Sequence, residues 1–121
     1  MLINLSNHPS TRWSAEQMQA ARAFGSVTDY PFPNVSPKWV EEDIRNEASR
    51  IATDILDTFP HDNLTIHLMG EFTLTYALLQ RFHAHGIQCI ASTTERIVKD
   101  LPDGKKEVLF QFVQFRRYEH A

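Results

Sequence analysis

The residues Leu64-Thr-Ile-His-Leu-Met-Gly70, followed beyond Gly86 by Ile87-Gln-Cys-Ile-Ala-Ser92, decide the fold of this chain. The first run is rich in branched residues and predicts a strand, and so does the second. Between them, apolar residues recur around most of a helix, which indicates that the helix is largely buried. A strand, a buried helix and a strand within about 30 residues form a right-handed crossover between parallel strands. Gly70 and Ser92 are therefore expected at the carboxyl edge of one sheet, where open α/β sheets bind ligands.

Outward from this crossover, the chain alternates strands and helices. Leu2-Ile-Asn-Leu-Ser6 predicts a first strand, Ala15 to Phe24 a first helix, and Ser26 to Tyr30 a second strand. A one-sided apolar stripe then predicts a long helix with Ser36 as its N-cap and Pro37 at its first position. The alternation predicts a mostly parallel sheet with helices on both faces.

The carboxyl-terminal part predicts a hairpin. Asp103-Gly104 lies between two apolar runs, which is a strong hairpin signal. The strand from Glu107 to Phe115 is apolar on both faces, so one face can meet the helices and the other a second copy of the protein. The predicted fold is therefore α/β, a single Rossmann-like domain over residues 1–121, with strand order 2-1-3-4 and a C-terminal antiparallel hairpin.

Composition limits the classes of function. The chain has 121 residues, of which 42% are hydrophobic and 22% charged, and its formal charge is -3. These values are typical of a soluble domain and argue against binding of duplex DNA. The single cysteine, Cys89, excludes an internal disulfide and favours a reducing, cytoplasmic setting. No apolar run approaches the roughly 18 residues of a membrane span, so no membrane partner is expected.

Polar residues concentrate in the three loops at the predicted carboxyl edge. With strand order 2-1-3-4, the switch point between strands one and three brings these loops together. Hydroxyls, an imidazole and a guanidinium near helix amino termini suit a phosphate or another anion. Glu71 would repel a phosphate there unless it accepts a hydroxyl proton or pairs with Arg96. The predicted catalytic residues are His8, Glu71 and Arg96, and the predicted ligand-binding residues are Asn7, Ser10, Gly70, Thr73, Ser92, Thr93 and Thr94.

Plainer explanations exist for the same residues. Gly70-Glu71 can be a turn and an acidic first helical position, and the hydroxyls after Ser92 can merely cap a strand end. His67 lies within an apolar strand, where a satisfied interior histidine is more common than a ligand. The chain has no phosphate loop and no dinucleotide fingerprint. His83 and His85 point apart on a helix, so neither a metal nor a cofactor is expected.

Three motifs suggest a family. The first strand leads into Asn7-His-Pro9, a later one ends in Met69-Gly-Glu-Phe-Thr73, and another ends in Ser92-Thr-Thr-Glu-Arg96. This order of elements resembles small stand-alone CRISPR-accessory proteins, Rossmann-like proteins related to the CARF sensors, some of which are ring nucleases. The resemblance implies that a homodimer binds a cyclic oligoadenylate and, in some members, cleaves it without a metal during antiviral defence.

Such cleavage proceeds by attack of a ribose 2'-hydroxyl on the adjacent phosphorus, which requires positioning, proton removal and charge stabilisation. His8 is the candidate acid or base, and Arg96 is the candidate ligand of the phosphoryl oxygens. Two alternatives stay open at this point. One is a non-catalytic interaction module that docks a protein through the C-terminal strand, and the other is an enzyme acting on another small phosphorylated metabolite.

Overall fold

One five-stranded sheet forms the centre of the computed structural model, which describes residues 1–120. The strand order is β2-β1-β3-β4-β5, parallel from β2 to β4, with β5 antiparallel to β4. The predicted α/β class, strand order and antiparallel hairpin are confirmed. The strands are β1 (Leu2–Ser6), β2 (Val27–Pro31), β3 (Thr65–Met69), β4 (Gln88–Asp100) and β5 (Lys106–Arg117). The helices are α1 (Ala15–Arg22), α2 (Glu41–Thr58) and α3 (Phe72–Ala84), with a 3-10 turn at Ser10–Arg12.

Helices cover both faces of the sheet. On one face, Ile3 and Leu5 of β1 pack with the apolar stripes of α2 and α3. On the other face, Leu2 packs with Ala21 of α1. Because successive side chains of a strand point to opposite faces and helices cover both, β1 is completely buried, including the polar side chains of Asn4 and Ser6. The helix residues that are buried are Ala48, Ile51, Ala52 and Ile55 of α2 and Leu74, Leu78 and Phe82 of α3.

The start of α2 differs from the prediction. Ser36 does not cap the helix, because its hydroxyl accepts the amide of Lys38 at 3.2 Å within a separate turn. The chain then extends through Val40, whose N–H donates to the carboxylate of Asp43 at 2.9 Å. The helix therefore begins at Glu41, because the Asp43 carboxylate accepts the free amide of Val40 just before it.

The hairpin of β4 and β5 extends beyond the parallel sheet. Pairing between β3 and β4 ends at His67 and Ile90, whereas β4 and β5 stay paired as far as Asp100 and Lys106. An irregularity in the register of the hairpin lies at Thr93 and Thr94, a few residues after β4 has separated from β3. None of the helices in residues 1–120 has the length and apolar character needed to cross a lipid bilayer.

Gly70 is required by the packing of Phe32. A Cβ atom at Gly70 would lie 2.5 Å from Cε1 and Cζ of the Phe32 ring, which is itself only 7% exposed. Phe32 belongs to the connection between β2 and α2, and its ring covers the end of β3. The glycine therefore has a structural reason to follow β3, whichever ligand binds nearby.

We expect Gly70→Ala to lower the free energy of unfolding by about 1–3 kcal/mol, because the ring must move within a packed core. In a Phe32→Leu background the added methyl group meets fewer atoms, so the same substitution should cost less than half as much. Urea denaturation of the four proteins in this double-mutant cycle measures the difference. Equal costs in both backgrounds would contradict the contact.

Candidate functional site

Four polar side chains form a hydrogen-bonded row across the sheet. Asn4 lies in register with Asp29 on one neighbouring strand and with His67 on the other. Asn4 Nδ2 donates to Asp29 Oδ1 at 2.9 Å, and Asn4 Oδ1 lies 2.9 Å from His67 Nδ1. His67 Nε2 lies 3.0 Å from the hydroxyl of Ser92. We call Asp29, Asn4, His67 and Ser92 the polar row; it lies on the sheet face that carries α1.

The orientation of Asn4 determines the protonation of His67. Asn4 Nδ2 also donates to the carbonyl of His8 at 2.8 Å, so both of its hydrogens are used. Asn4 Oδ1 accepts the Ser6 hydroxyl at 2.7 Å, and an amide oxygen can only accept hydrogen bonds. His67 must therefore carry its proton on Nδ1, which leaves Nε2 free to accept the proton of the Ser92 hydroxyl.

His67 is buried under aromatic rings. Its side chain is 2% exposed, and the rings of Trp13 and Phe115 lie 5.2 and 5.5 Å away, centroid to centroid, in edge-on arrangements. Burial, with a smaller contribution from the nearby His8, lowers the pKa of His67 to about 4. The imidazole is therefore neutral at pH 7 and can accept a hydrogen bond through Nε2, although burial makes it a weaker base than an exposed imidazole.

The first predicted loop is anchored to the polar row. Its backbone is held by Ser6, whose hydroxyl accepts the amide of His8 at 3.2 Å. Further along, the amide and hydroxyl of Ser10 donate to the carboxylate of Asp29 at 3.0 to 3.3 Å. These contacts leave the side chains of Asn7 and His8 exposed at the rim.

The second predicted segment caps the start of α3. Glu71 is the N-cap of α3, and its carboxylate accepts the amides of Thr73 and Leu74 at 3.0 and 2.9 Å. It also accepts the Thr73 hydroxyl. Burial alone would raise the pKa of Glu71, but these hydrogen bonds outweigh it and hold the pKa below its usual value. Catalytic or ligand-binding roles for Glu71 and Thr73 stay predictions, and the capping contacts account for both residues without a ligand.

The third predicted segment lies along β4. The hydroxyl of Thr93 bonds to the backbone of Gln114 on β5 and holds the irregular part of the hairpin together. Thr94 lines a cleft between the start of α1 and the hairpin. Arg96 is exposed and lies in register with Phe110. Their roles toward a ligand also stay predictions.

A cleft of about 480 Å³ separates the start of α1 from the hairpin. The cleft adjoins the polar row through the two aromatic rings that cover His67. On one wall, Arg12 directly precedes Trp13 in the chain. On the other wall, the ring of Phe112 lies 5.0 Å from that of Phe115, centroid to centroid. We call it the hairpin cleft. Its lining residues are Arg12, Ser14, Glu16 and Gln17 on the α1 side and Thr94, Ile97, Lys99, Leu109, Phe110, Gln111 and Phe112 on the hairpin.

Sequence reasoning did not find most of this cleft. Arg12, Lys99 and Phe110 are not among the residues that the sequence predicted for the site. The only signal in the sequence was the excess of apolar residues on the last strand. Arg12 and Phe110 are almost 100 positions apart, so no local pattern links them.

A larger groove, of about 710 Å³, lies between the first turns of α2 and α3. We do not place the anion site there, because its cations are already engaged. Arg45 pairs with Glu41, and Arg81 donates to Ser49 and to backbone carbonyls. The apolar residues that line it include Trp39, Val40, Ile44, Phe72 and Tyr76.

The geometry defines an α/β protein of Rossmann-like strand order whose candidate site lies at the carboxyl edge of the sheet. The chain belongs to the Uncharacterized protein MJ1673 family, whose model matches residues 1–116. Comparisons with curated proteins and with solved structures gave no significant match. Within residues 1–120, no group of three or more His, Cys, Asp or Glu side chains is placed to hold a metal ion.

The buried imidazole predicts an acid-sensitive fold. Because the pKa of His67 is about 4 in the folded protein and about 6.5 when unfolded, the unfolded chain binds more protons between these values. Stability should therefore fall as the pH drops from about 6.5 toward 4. We expect His67 to account for a loss of about 2 kcal/mol between pH 7 and pH 5. Urea denaturation at several pH values should show that the free energy of unfolding of His67→Gln lacks this loss between pH 7 and pH 5. An equal loss in the wild type and the variant would contradict the role of His67.

The N-cap predicts a second pH dependence at a lower range. Glu71→Gln should cost about 1 kcal/mol at pH 7, because a neutral amide replaces the capping carboxylate. Since the pKa of Glu71 is lowered in the folded protein, this stabilisation is present above about pH 4.5 and is lost as the pH falls through the folded value. Glu95→Gln, at an exposed position without a side-chain hydrogen bond in residues 1–120, is the matched control and should change stability by less than about 0.5 kcal/mol.

Proposed function

We propose that this protein binds a nucleotide in the hairpin cleft and that the ligand is a cyclic oligoadenylate of CRISPR immunity, bound by a homodimer. The observation that carries the proposal is the composition of the cleft. Arg12 and Lys99 line the same cleft as Phe110, whose side chain is largely exposed, beside the carboxyl edge of the sheet. Cations and an open aromatic face are the two features that binding of single-stranded nucleotides requires.

Both cations are available for phosphate. Arg12 and Lys99 are exposed, and neither forms an ion pair within residues 1–120. A guanidinium binds phosphate oxygens in a bidentate fashion, and an ammonium adds a mobile point charge. Arg96 lies in register with Phe110 and can add a third positive group at the mouth of the cleft.

The aromatic residues suit a base. The side chain of Phe110 is 69% exposed, so its ring is open to a ligand. Stacking of one base on an aromatic ring contributes about 1–3 kcal/mol to binding. Gln17 and Gln111 also line the cleft, and a glutamine amide can pair with the N6 and N7 atoms of adenine. Glu16 is the one acidic residue among those that line the cleft, and it disfavours phosphate close to its own carboxylate.

A dimer would supply what one chain lacks. A ring of several phosphates needs more positive charge than a single copy carries, and a two-fold axis doubles every contact. Exposed apolar side chains that a second copy can cover lie on the hairpin itself and include Val98, which is 44% exposed, and Val108, which is 42% exposed.

Binding can be tested with purified cyclic tetra-adenylate and cyclic hexa-adenylate by calorimetry at low and physiological salt. We expect Phe110→Ala and Arg12→Gln each to weaken binding about tenfold or more, because they remove a stacking face and a phosphate contact. Arg22→Gln, at an exposed position at the end of α1, removes the same charge outside the cleft and should leave binding within about twofold. Absence of binding to both rings and to their linear forms would contradict the proposal.

Cleavage is tested separately by chromatography of the products. If His8 acts as acid or base and Arg96 holds the phosphate, His8→Ala should lower the rate with little change in affinity, and Arg96→Ala should lower the affinity. Equal and negligible effects of both substitutions would contradict these roles. Products ending in a 2',3'-cyclic phosphate would indicate attack by the ribose hydroxyl.

A protein-docking function is the second candidate, because the last strand also leaves Val113 55% exposed. Val113→Ser lies outside the residues that line the cleft, so it separates the two functions. Loss of self-association or of a protein partner in Val113→Ser, together with no nucleotide binding by the wild type, would favour docking.

A further inference from the structure

The polar row ends in a serine whose surroundings differ from those of a buried structural hydroxyl. Pairing between β3 and β4 stops at Ile90, two residues before Ser92, so only β5 flanks Ser92 in the sheet. The space on its other side holds the flexible side chain of Met69, whose sulfur lies 3.1 Å from the Ser92 hydroxyl oxygen. Ser92 itself is partly exposed.

We propose that Ser92 is a nucleophilic serine, activated through its hydrogen bond to His67, and that it attacks a phosphoryl ester bound at the carboxyl edge of the sheet. The arrangement contains the three parts that activate a hydroxyl: a nucleophile, a base and a group that orients the base. The oxygen–nitrogen distance from Ser92 to His67 is 3.0 Å, and the distance from His67 to Asn4 is 2.9 Å.

Each member is in the required protonation state. Asn4 holds the proton of His67 on Nδ1, so Nε2 faces Ser92 with a free lone pair. The thioether of Met69 is a much weaker acceptor than an imidazole nitrogen, so the Ser92 proton points to His67. Asp29 polarises the amide of Asn4 from the far end of the row and makes its oxygen a better acceptor. Asn4 and Asp29 are therefore positioning residues.

The proposed step balances without a metal or another reactant except water. The oxygen of Ser92 forms a bond to phosphorus while its proton passes to His67 Nε2, and the ester oxygen leaves and takes that proton. Water then attacks phosphorus, gives a proton to His67, and the Ser92 oxygen departs and regains it. Asn4 keeps the imidazole oriented throughout.

The substrate class rests on the proposed function, since it depends on the cations of the neighbouring cleft. Ser92 lies two residues before Thr94, which lines that cleft, and strand geometry places the two about 7 Å apart. A phosphate held by Arg12 on the opposite wall would then have an ester group near the Ser92 hydroxyl. The nucleophilic character of Ser92 does not depend on this ligand.

Diisopropyl fluorophosphate is the probe, because it phosphorylates activated serines and releases fluoride. We expect intact-mass analysis at pH 7.5 to show one adduct per chain and peptide mapping to locate it on Ser92. Ser92→Ala should abolish the adduct, and His67→Gln should slow its formation at least about a hundredfold through loss of the general base. Ser26→Ala, at an exposed serine before β2, should label as the wild type does. A folded wild type that forms no adduct, or equal rates in wild type and His67→Gln, would overturn the proposal.

A second variant keeps the test informative if His67→Gln fails to fold. Ser92→Cys changes the size of the side chain little, and it allows the activation of residue 92 to be measured as the reactivity of a thiol. Burial raises the pKa of the Cys89 thiol to about 12, so the native cysteine does not compete. With a disulfide reagent at pH 7, the introduced thiol should react at least about tenfold faster than the one in Ser26→Cys. A slower reaction than in Ser26→Cys would overturn the proposal.

The outcomes also separate this inference from the proposed function. Ser92→Ala should lose the phosphoryl adduct and the turnover that passes through Ser92, whereas products ending in a 2',3'-cyclic phosphate should persist because attack by the ribose hydroxyl does not use Ser92. An adduct on Ser92 with no binding of either ring would support the nucleophilic role of Ser92 and contradict the proposed ligand. Binding of a ring without an adduct would support the proposed ligand and contradict the nucleophilic role of Ser92.

Discussion

The hydrogen bond between Asn4 and His67 is the contact on which the rest of the structure depends. It joins the completely buried β1 to the almost completely buried β3, and it exists only because their register places the two residues opposite each other. A shift of one residue would turn the amide toward the aliphatic core of α2 and α3, where it would have no partner. A buried polar pair of this kind stabilises one register over its neighbours, in addition to whatever it contributes to stability.

The same pair also determines how the loops at the carboxyl edge are held. Asn4 binds the carbonyl of His8 and the carboxylate of Asp29, and Asp29 in turn holds Ser10. The loop after β1 is therefore tied to the sheet before any ligand arrives. Its chain then enters α1 on one face, whereas β3 leads into α3 on the other face, so the edge between them stays open. A site at this edge is preorganised at its base and accessible at its rim.

The hairpin completes the site from a distant part of the chain. Phe115 reaches back to His67 and Phe24, which brings β5 over α1 and encloses the cleft with its cations and its exposed ring. Gly70 and Glu71 illustrate the opposite case. They lie at the predicted rim, yet Phe32 and the first turn of α3 account for them, because packing and capping favour the same residue types as a ligand. Residue type alone does not separate these roles.

The sequence by itself determined the order of the elements and of the strands, because branched runs, capped apolar stripes and the Asp103-Gly104 turn are local signals. The crossover between β3 and β4 follows from the same signals and from the handedness of parallel connections. Local patterns did not determine what His67 contacts, since its partners Asn4 and Ser92 are 63 and 25 positions away. Nor did they join Arg12 to Phe110. Those contacts were decided by the tertiary structure, because register and hairpin curvature set which distant side chains meet.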